Sequence, residues 1–452
     1  MTKDMTKGSV LKLIISFAIP MFFGMLFQQF YSIVDTMIVG KLLGVVPLAG
    51  VGSTASLNFM VIGFCSGVCN GFAIPVAQMF GARNDSDLRR YVAVSTWLCI
   101  GFAVVLTTGV SLACKPILQL MHTPEEIFDY AYIYILIIFL GIPFTFLYNI
   151  LAAIIRSLGD SKTPVVFLAL SSVINIVLDL VFIIVFHMSV EGPALATVIS
   201  QAVSGLVCLW YMKKKFPVLK LSRDDWRFRK RHAAILCKMG IPMGLQYSIT
   251  AIGTLVIQAA VNSLGANVVA GVTAAQRINA FITCPVESLG QTMAPFAGQN
   301  AGAGQTDRIR KGLISASLCG FGASILLLVL VIFTGKNLAL LFLDSAQTEI
   351  IDYAYRFLLF SSGGYCLLTL VNTVRFSIQG MGFSGLAVTA GIMEMGARTF
   401  AGLCLAKWLG FTGICMAHPL AWICADAFLI PAFIHCKRKL DRQAAQVSVT
   451  AA

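Results

Sequence analysis

The sequence predicts an all-α integral membrane protein, with twelve transmembrane helices arranged as two pseudo-symmetric six-helix lobes. Three observations carry this prediction. Of 452 residues, 58% are hydrophobic and only 12% are charged, whereas roughly a quarter are charged in an ordinary soluble domain. The apolar residues gather in runs from residue 10 almost to residue 436, each near the roughly 20 residues a helix needs to cross a bilayer. The runs also fall into two sets of six whose landmarks repeat in order. This hydropathy excludes a water-soluble globule. It equally excludes an outer-membrane barrel, whose strands alternate over about ten positions and give a much weaker signal. A collagen, a disulfide scaffold and a disordered chain fail on the same composition.

In chain order the spans cover residues 10–38, 48–79, 90–114, 127–154, 164–186, 193–212, 236–262, 268–297, 311–334, 351–375, 385–408 and 413–435. Lys3, Lys7 and Lys12 precede or open the first. It runs far beyond the 7–15 residues of a signal-peptide core and lacks a small-residue cleavage site, so it is expected to stay attached as a helix. The second span holds Gly67 and Gly71, a small-xxx-small pair that signals close helix packing. Breakers punctuate the bundle: Pro20 in the first span, Pro143 in the fourth, Pro242 in the seventh, Pro285 in the eighth and Gly363-Gly364 in the tenth. In lipid, the backbone groups they free must be satisfied by neighbouring helices, hydroxyls or cavity water. A packing kink accounts for any one of them, while the recurrence of Pro20 at Pro242 favours a functional role.

The net charge of +13 suggests nucleic acid until its placement is drawn. With the N-terminus in the cytoplasm, 26 of the 33 Lys and Arg fall in tails and loops on that side; Lys41, Lys115, Lys336, Arg356 and Lys407 fall outside, and Arg277 and Arg398 lie within spans. This is the positive-inside pattern, and it predicts a multi-pass plasma-membrane (cell inner membrane) protein with both termini cytoplasmic. The basic run from Lys213 to Lys238 then reads as a solvated loop near anionic headgroups, not as a nucleic-acid site. Thirteen cysteines, odd in number, mostly within apolar spans and lacking a CxxC pair, read as small buried hydrophobes. The expected division is an N-lobe at 1–212, a cytoplasmic basic inter-lobe loop at 213–235, a C-lobe at 236–436 and a cytoplasmic tail at 437–452.

The internal repeat is the most informative feature. Ile19-Pro20-Met21 recurs as Ile241-Pro242-Met243, Ala49-Gly50-Val51 as Ala270-Gly271-Val272, and Asp129-Tyr130-Ala131-Tyr132 as Asp352-Tyr353-Ala354-Tyr355. Pro75, Gln78, Gly81 and Ala82 recur as Pro295, Gln299, Gly302 and Ala303, and Asn149, Gly159 and Gly192 as Asn372, Gly382 and Gly413, all at offsets of 220 to 223 residues. Six spans per half is an even number, so both halves enter the membrane from one side. Such parallel repeats are typical of secondary transporters, whose lobes rock about a central cavity. The sequence has no GxxxxGK[ST], HExxH or GxSxG motif, so no enzyme and no nucleotide-driven pump is expected. The drive is then an ion gradient, in which one charge crossing 100 mV yields about 2.3 kcal/mol.

With Asp129 and Asp352, at the outer ends of their spans, counted as external, five carboxylates fall within spans: Asp35, Asp179, Glu287, Glu394 and Asp426. Each costs at least about 2.5 kcal/mol at the bilayer centre unless it meets a partner or a cavity. Asp35 sits toward the outer end of the first span, with Tyr31 one turn earlier and Thr36 beside it; Asn175 and Asp179 share a face of the fifth, and Thr197 opens the sixth. Two acids, an amide oxygen and a hydroxyl at one depth in one lobe suit a hard cation such as Na+, or a proton shared between crowded acids. The alternative is structural, with Asp35 capping its helix and Asn175 bonded to a neighbour. Glu394 and Arg398, four apart, read as an intrahelical neutralising pair. Glu287 and Arg277 are candidates for lining a substrate cavity with Tyr31 and Gln28, and Asp426 has no partner visible in sequence.

Three segments carry a family resemblance: Ile19-Pro20 followed by Gln28-Gln29-Phe30-Tyr31-Ser32-Ile33-Val34-Asp35-Thr36, Pro75-Val76-Ala77-Gln78 closing the second span, and Arg156-Ser157-Leu158-Gly159-Asp160-Ser161-Lys162-Thr163-Pro164 after the fourth. In combination, and across essentially the whole chain, the sequence resembles the multidrug and toxic compound extrusion (MATE) family, in the branch resembling DinF and MepA. The resemblance implies an antiporter that exports organic cations in exchange for Na+ or H+ and needs no other cofactor. It also implies Asp35 as the coupling acid, with Asn175, Asp179 and Thr197 as its polar neighbours. Members of the NorM type carry acids in the seventh and tenth spans. Here those spans hold Gln246, Gln258 and Asn372, so the resemblance places coupling on the N-lobe alone. Abundant Phe, Tyr and Met suit flat hydrophobic cations, and a monomer in contact with membrane lipid is expected. The runner-up is a lipid-linked saccharide flippase of the same superfamily, which needs a basic cavity for pyrophosphate. A channel or a membrane enzyme is more distant.

Overall fold

A computed structural model describes residues 3–451, with side chains to residue 444. Among the described residues there are helices and turns and no strands. The first half contains α1 (Val10–Leu42), α2 (Val45–Ser53), α3 (Ala55–Gly81), α4 (Asp85–Leu120), α5 (Glu125–Leu140), α6 (Ile142–Ser157), α7 (Lys162–Leu180) and α8 (Glu191–Lys215). The second contains α9 (Lys230–Asn262), α10 (Ala266–Ile282), α11 (Cys284–Gly302), α12 (Thr306–Ala339), α13 (Thr348–Gly363), α14 (Tyr365–Gly380), α15 (Ser384–Phe400), α16 (Ala406–Leu409), α17 (Phe411–Cys415) and α18 (Ala417–Ala451).

Taken as single columns, α2 with α3, α5 with α6, α7 with its π turn, α10 with α11, α13 with α14, α15 with α16 and α17 with α18 join α1, α4, α8, α9 and α12 to give six columns in each half. Eight helices are individually long and apolar enough to cross a membrane, and the pairs α5–α6 and α13–α14 are so together, bent by 48° and 50°. The other two columns, α10–α11 and α15–α16, carry the polar residues Arg277, Glu287, Glu394 and Arg398. The bends lie at Gly141 and Gly364, 223 positions apart like the landmarks around them. A π turn likewise extends α7 at Val181–Val185 and α15 at Ala401–Leu405. The repeat is therefore one of backbone shape as well as of residues.

Packing divides the chain into two compact units, one formed by residues 1–4 and 23–248 and the other by residues 5–22 and 249–452. The linear division into 1–212 and 236–436 is thus crossed twice. The first part of α1 packs in the second unit, where Ile14, Phe17, Ala18 and Met21 join Leu289, Met293 and Phe296. The first part of α9 packs in the first unit, where glycines let it approach α3 closely. A Cβ on Gly67 would lie 2.5 Å from the Met243 carbonyl oxygen, and one on Gly71 2.5 Å from the Gly240 Cα. The small-xxx-small pair of the sequence therefore faces a second one, Gly240 with Gly244.

Within the first unit, the connections that sequence places in the cytoplasm meet on one face. The Lys3 N–H donates to the Leu158 carbonyl (3.3 Å), Arg83 pairs with Asp4 (3.5 Å), and Arg89 pairs with Asp225 (3.3 Å). The stretch expected to be a freely solvated loop is in part docked. Asp225 is buried, accepting from the Ser222 N–H and hydroxyl (2.8 Å each), and the Trp97 indole donates to the Trp226 carbonyl. In the second unit, Arg308 donates to the Met5 and Gly8 carbonyls.

Candidate functional site

The first unit gathers polar side chains from α1, α3, α5, α6, α7 and α8. α1 presents Tyr31, Ser32 and Asp35, successive helical turns having put residues 31 and 35 on one face. α7 presents Asn175 and Asp179 by the same spacing, and α8 presents Thr197 and Gln201. A cavity of about 240 Å³ opens among them, lined by Tyr31, Ser32, Asp35, Asn58, Tyr134 and Gln201 together with Thr145, Thr197 and three aliphatic side chains. Asn175 and Asp179 are almost completely buried, at 1% and 0% exposure. The Tyr31 hydroxyl lies 3.4 Å from Thr197 Oγ1, and Asn175 Nδ2 donates to that same oxygen at 3.3 Å. The Asp35 and Asp179 carboxyls are neighbours and act on each other's charge.

What the site lacks is donors. Asp35 Oδ1, both oxygens of Asp179, Asn175 Oδ1, Asn58 Oδ1 and Gln201 Oε1 are buried acceptors with no hydrogen-bond partner. An unsatisfied buried polar atom costs about 1–3 kcal/mol, more when charged. A set of them, some lining the cavity and those of Asn175 and Asp179 buried apart from its lining, is an arrangement that a cation or an acidic proton relieves. Among the described residues no three His, Cys, Asp or Glu side chains have metal-holding geometry. The volume is also below the roughly 300–1,000 Å³ of pockets for drug-sized ligands.

Asp35, Asn175, Asp179 and Thr197 are brought together, and Tyr31 joins them. Gln28 is exposed and does not line this cavity. Glu287 and Arg277 belong to the second unit, where Glu287 accepts from the Thr283 hydroxyl (3.2 Å) and Arg277 is exposed on α10. Asn58, Tyr134, Thr145 and Gln201 are additions to the sequence reading. Gln201 was within reach of it, lying four residues after Thr197 on α8, and Asn58 is a polar residue in an apolar span. Nothing in sequence marks Tyr134.

The intrahelical pair of Glu394 with Arg398 is present at 3.2 Å, but Glu394 also receives Arg375 from α14. Arg375, counted by sequence as a loop residue at the end of the tenth span, is instead 6% exposed within the second unit's core. A larger groove, about 480 Å³, lies at the Gly363–Gly364 bend and is lined by apolar side chains, proline and glycine, with no group to hold an ion.

With this geometry in view, the comparisons with known proteins are decisive for family. The MatE family profile matches residues 20–181 and 242–399, one segment in each half. The chain belongs to the MATE family. It is 33% identical over 308 residues to the probable multidrug resistance protein YpnP of Bacillus subtilis (strain 168), covering 68% of each chain. It is 29% identical over 388 residues to the probable multidrug resistance protein YoeA of the same strain, covering 84% of this chain and 83% of that one. Among solved structures, the outward-facing conformation of a multidrug resistance MATE family transporter of the MOP superfamily superposes with a TM-score of 0.87 at 22% identity, covering 97% of both chains. The twelve-helix MATE fold and a membrane transport role follow for this chain.

Proposed function

We propose that this MATE protein is a secondary active antiporter that exports organic, cationic amphipathic compounds in exchange for H+ or Na+ by alternating access. The observation that carries this reading is the Asp35–Asp179 pair beside a cavity whose buried unpaired atoms are all acceptors. Two close carboxylates in low dielectric cannot both stay ionised without a counter-charge. An H+ or Na+ supplies it, and a cationic cargo entering the same field competes with that ion. Mutual exclusion of the two is what couples one flux to the other. Thr197 and Tyr31 hold α1 and α8 in register around the ion, and Asn175 supplies an oxygen from α7.

Both termini are assigned to the cytoplasm on the lysine and arginine distribution, and the first unit's basic connections share a face consistent with it. The transporter is taken to act as a monomer. The flippase alternative receives no support from the second unit's interior, where Arg375 and Arg398 are both engaged by Glu394 and are not presented to a pyrophosphate.

The experiment is efflux of a fluorescent organic cation from inverted vesicles under separately imposed sodium and proton gradients. One gradient alone should drive transport, and Asp35→Asn or Asp179→Asn should abolish it while expression and insertion persist. Full gradient-driven transport in both variants removes the coupling site, and transport indifferent to both gradients removes the antiporter.

A further inference from the structure

The second unit holds a buried charge cluster that the Asp35 reading does not use. Glu394 on α15 accepts Arg375 on one carboxylate oxygen and Arg398 on the other, and the three residues are 4%, 6% and 6% exposed. Asp426 on α18 completes the group. It is 5% exposed, neither of its oxygens has a hydrogen-bond partner, and the Arg375 guanidinium is within electrostatic range of it. His418, two turns earlier on α18, stacks against Trp422 at 5.7 Å and stands within electrostatic range of Arg398. The ion pairs of α18, Lys437 with Asp307 and Asp441, lie three turns further along.

An acid kept only to neutralise a buried guanidinium is normally bonded to it, as Glu394 is. Asp426 is not, so two requirements oppose each other. Ionised, it brings two acids and two guanidiniums to zero net charge but leaves a carboxylate with no donor in a low-dielectric core. Protonated, it is far cheaper to bury but leaves one guanidinium in excess. Which state wins depends on which of the two acids Arg375 engages.

We propose that Asp426 is a second proton-binding site of this transporter, taking up a proton while Arg375 is held by Glu394 and releasing it when Arg375 turns to Asp426. In the release step the Asp426 O–H bond breaks, the proton passes to water, and the carboxylate left behind accepts from the guanidinium; no other group changes charge. The site lies in the other unit from Asp35 and Asp179, so it adds a titrating group to the cycle and does not replace theirs.

The test is infrared difference titration of the full-length protein in lipid nanodiscs, reading the stretch of protonated carboxyls. The wild type should show a buried component that survives Asp35→Asn combined with Asp179→Asn and disappears in Asp426→Asn. Glu394→Gln, which releases Arg375 to Asp426, should move that component's midpoint to lower pH. If Asp426→Asn does not accumulate, Asp426→Glu keeps a carboxyl and must shift the midpoint. An unchanged carboxyl titration in Asp426→Asn, or an unmoved midpoint in Asp426→Glu, overturns the proposal and leaves a permanently ionised neutraliser. Because no transport is measured, these outcomes are separate from those of the vesicle experiment on Asp35.

Discussion

At the residue scale the first unit's chamber concentrates cost. Six of its buried acceptors have no hydrogen-bond partner, and each costs stability. For Gln201, whose Oε1 is buried without a partner, replacement by Leu removes an unsatisfied group. Gln201→Leu should then match or exceed the wild type in thermal unfolding in detergent while its half-saturating concentration for the coupling ion rises; a fall in stability with unchanged ion dependence would make Gln201 a packing residue. Asn175 differs because its amide is engaged with Thr197. Asn175→Ala loses a hydrogen bond worth about 0.5–1.5 kcal/mol and should weaken ion affinity by a factor of about 2 to 10. For Asp35→Asn and Asp179→Asn the loss of gradient-driven efflux should exceed tenfold, because only ~1.4 kcal/mol of ion binding is enough for that factor.

At the element scale, proline alone does not set the shape of the helices. Pro20 and Pro242 lie inside uninterrupted helices, whereas the sharp bends fall at Gly141 and Gly364, in both cases at a junction between two shorter helices. The π turns after Asp179 and after Arg398 widen α7 and α15 close to buried polar groups, a placement common at functional sites. The approach of α3 to α9 depends on having no side chain at four positions, and enlarging one should be costly. Gly67→Leu should lower stability by about 1–3 kcal/mol through overpacking, read as a drop in melting temperature. Gly101→Leu on α4, with open space around its Cα, should leave it unchanged. Equal effects in the two variants would show that the α3–α9 contact is not close.

At the scale of the whole molecule, the inter-lobe connection is anchored to the first unit through Asp225. Burial raises the cost of its charge, but the Ser222 N–H, the Ser222 hydroxyl and Arg89 together hold its carboxyl below the ordinary aspartate value. A depressed carboxyl contributes stability above its unfolded value, near 3.9, and loses it as pH falls through the lower folded value. The anchor should therefore persist unaltered from neutral pH down to about pH 4 and release only below it, reported by the fluorescence of Trp97 and Trp226. Asp225→Asn should expose the segment to trypsin at neutral pH; resistance equal to the wild type would show that the anchor lies elsewhere. The sequence by itself determined the membrane class, the six-plus-six repeat and the acids with their immediate neighbours, because hydropathy, composition and i, i+4 spacing are local properties written along the chain. Only the tertiary structure decided which acids meet. It paired Asp35 with Asp179 across α1 and α7, drew Arg375 into the core toward Glu394, left Asp426 without a donor and exchanged the first parts of α1 and α9 between the units. Contacts between elements far apart in sequence depend on how helix faces pack, and no periodicity within a single span encodes the partner.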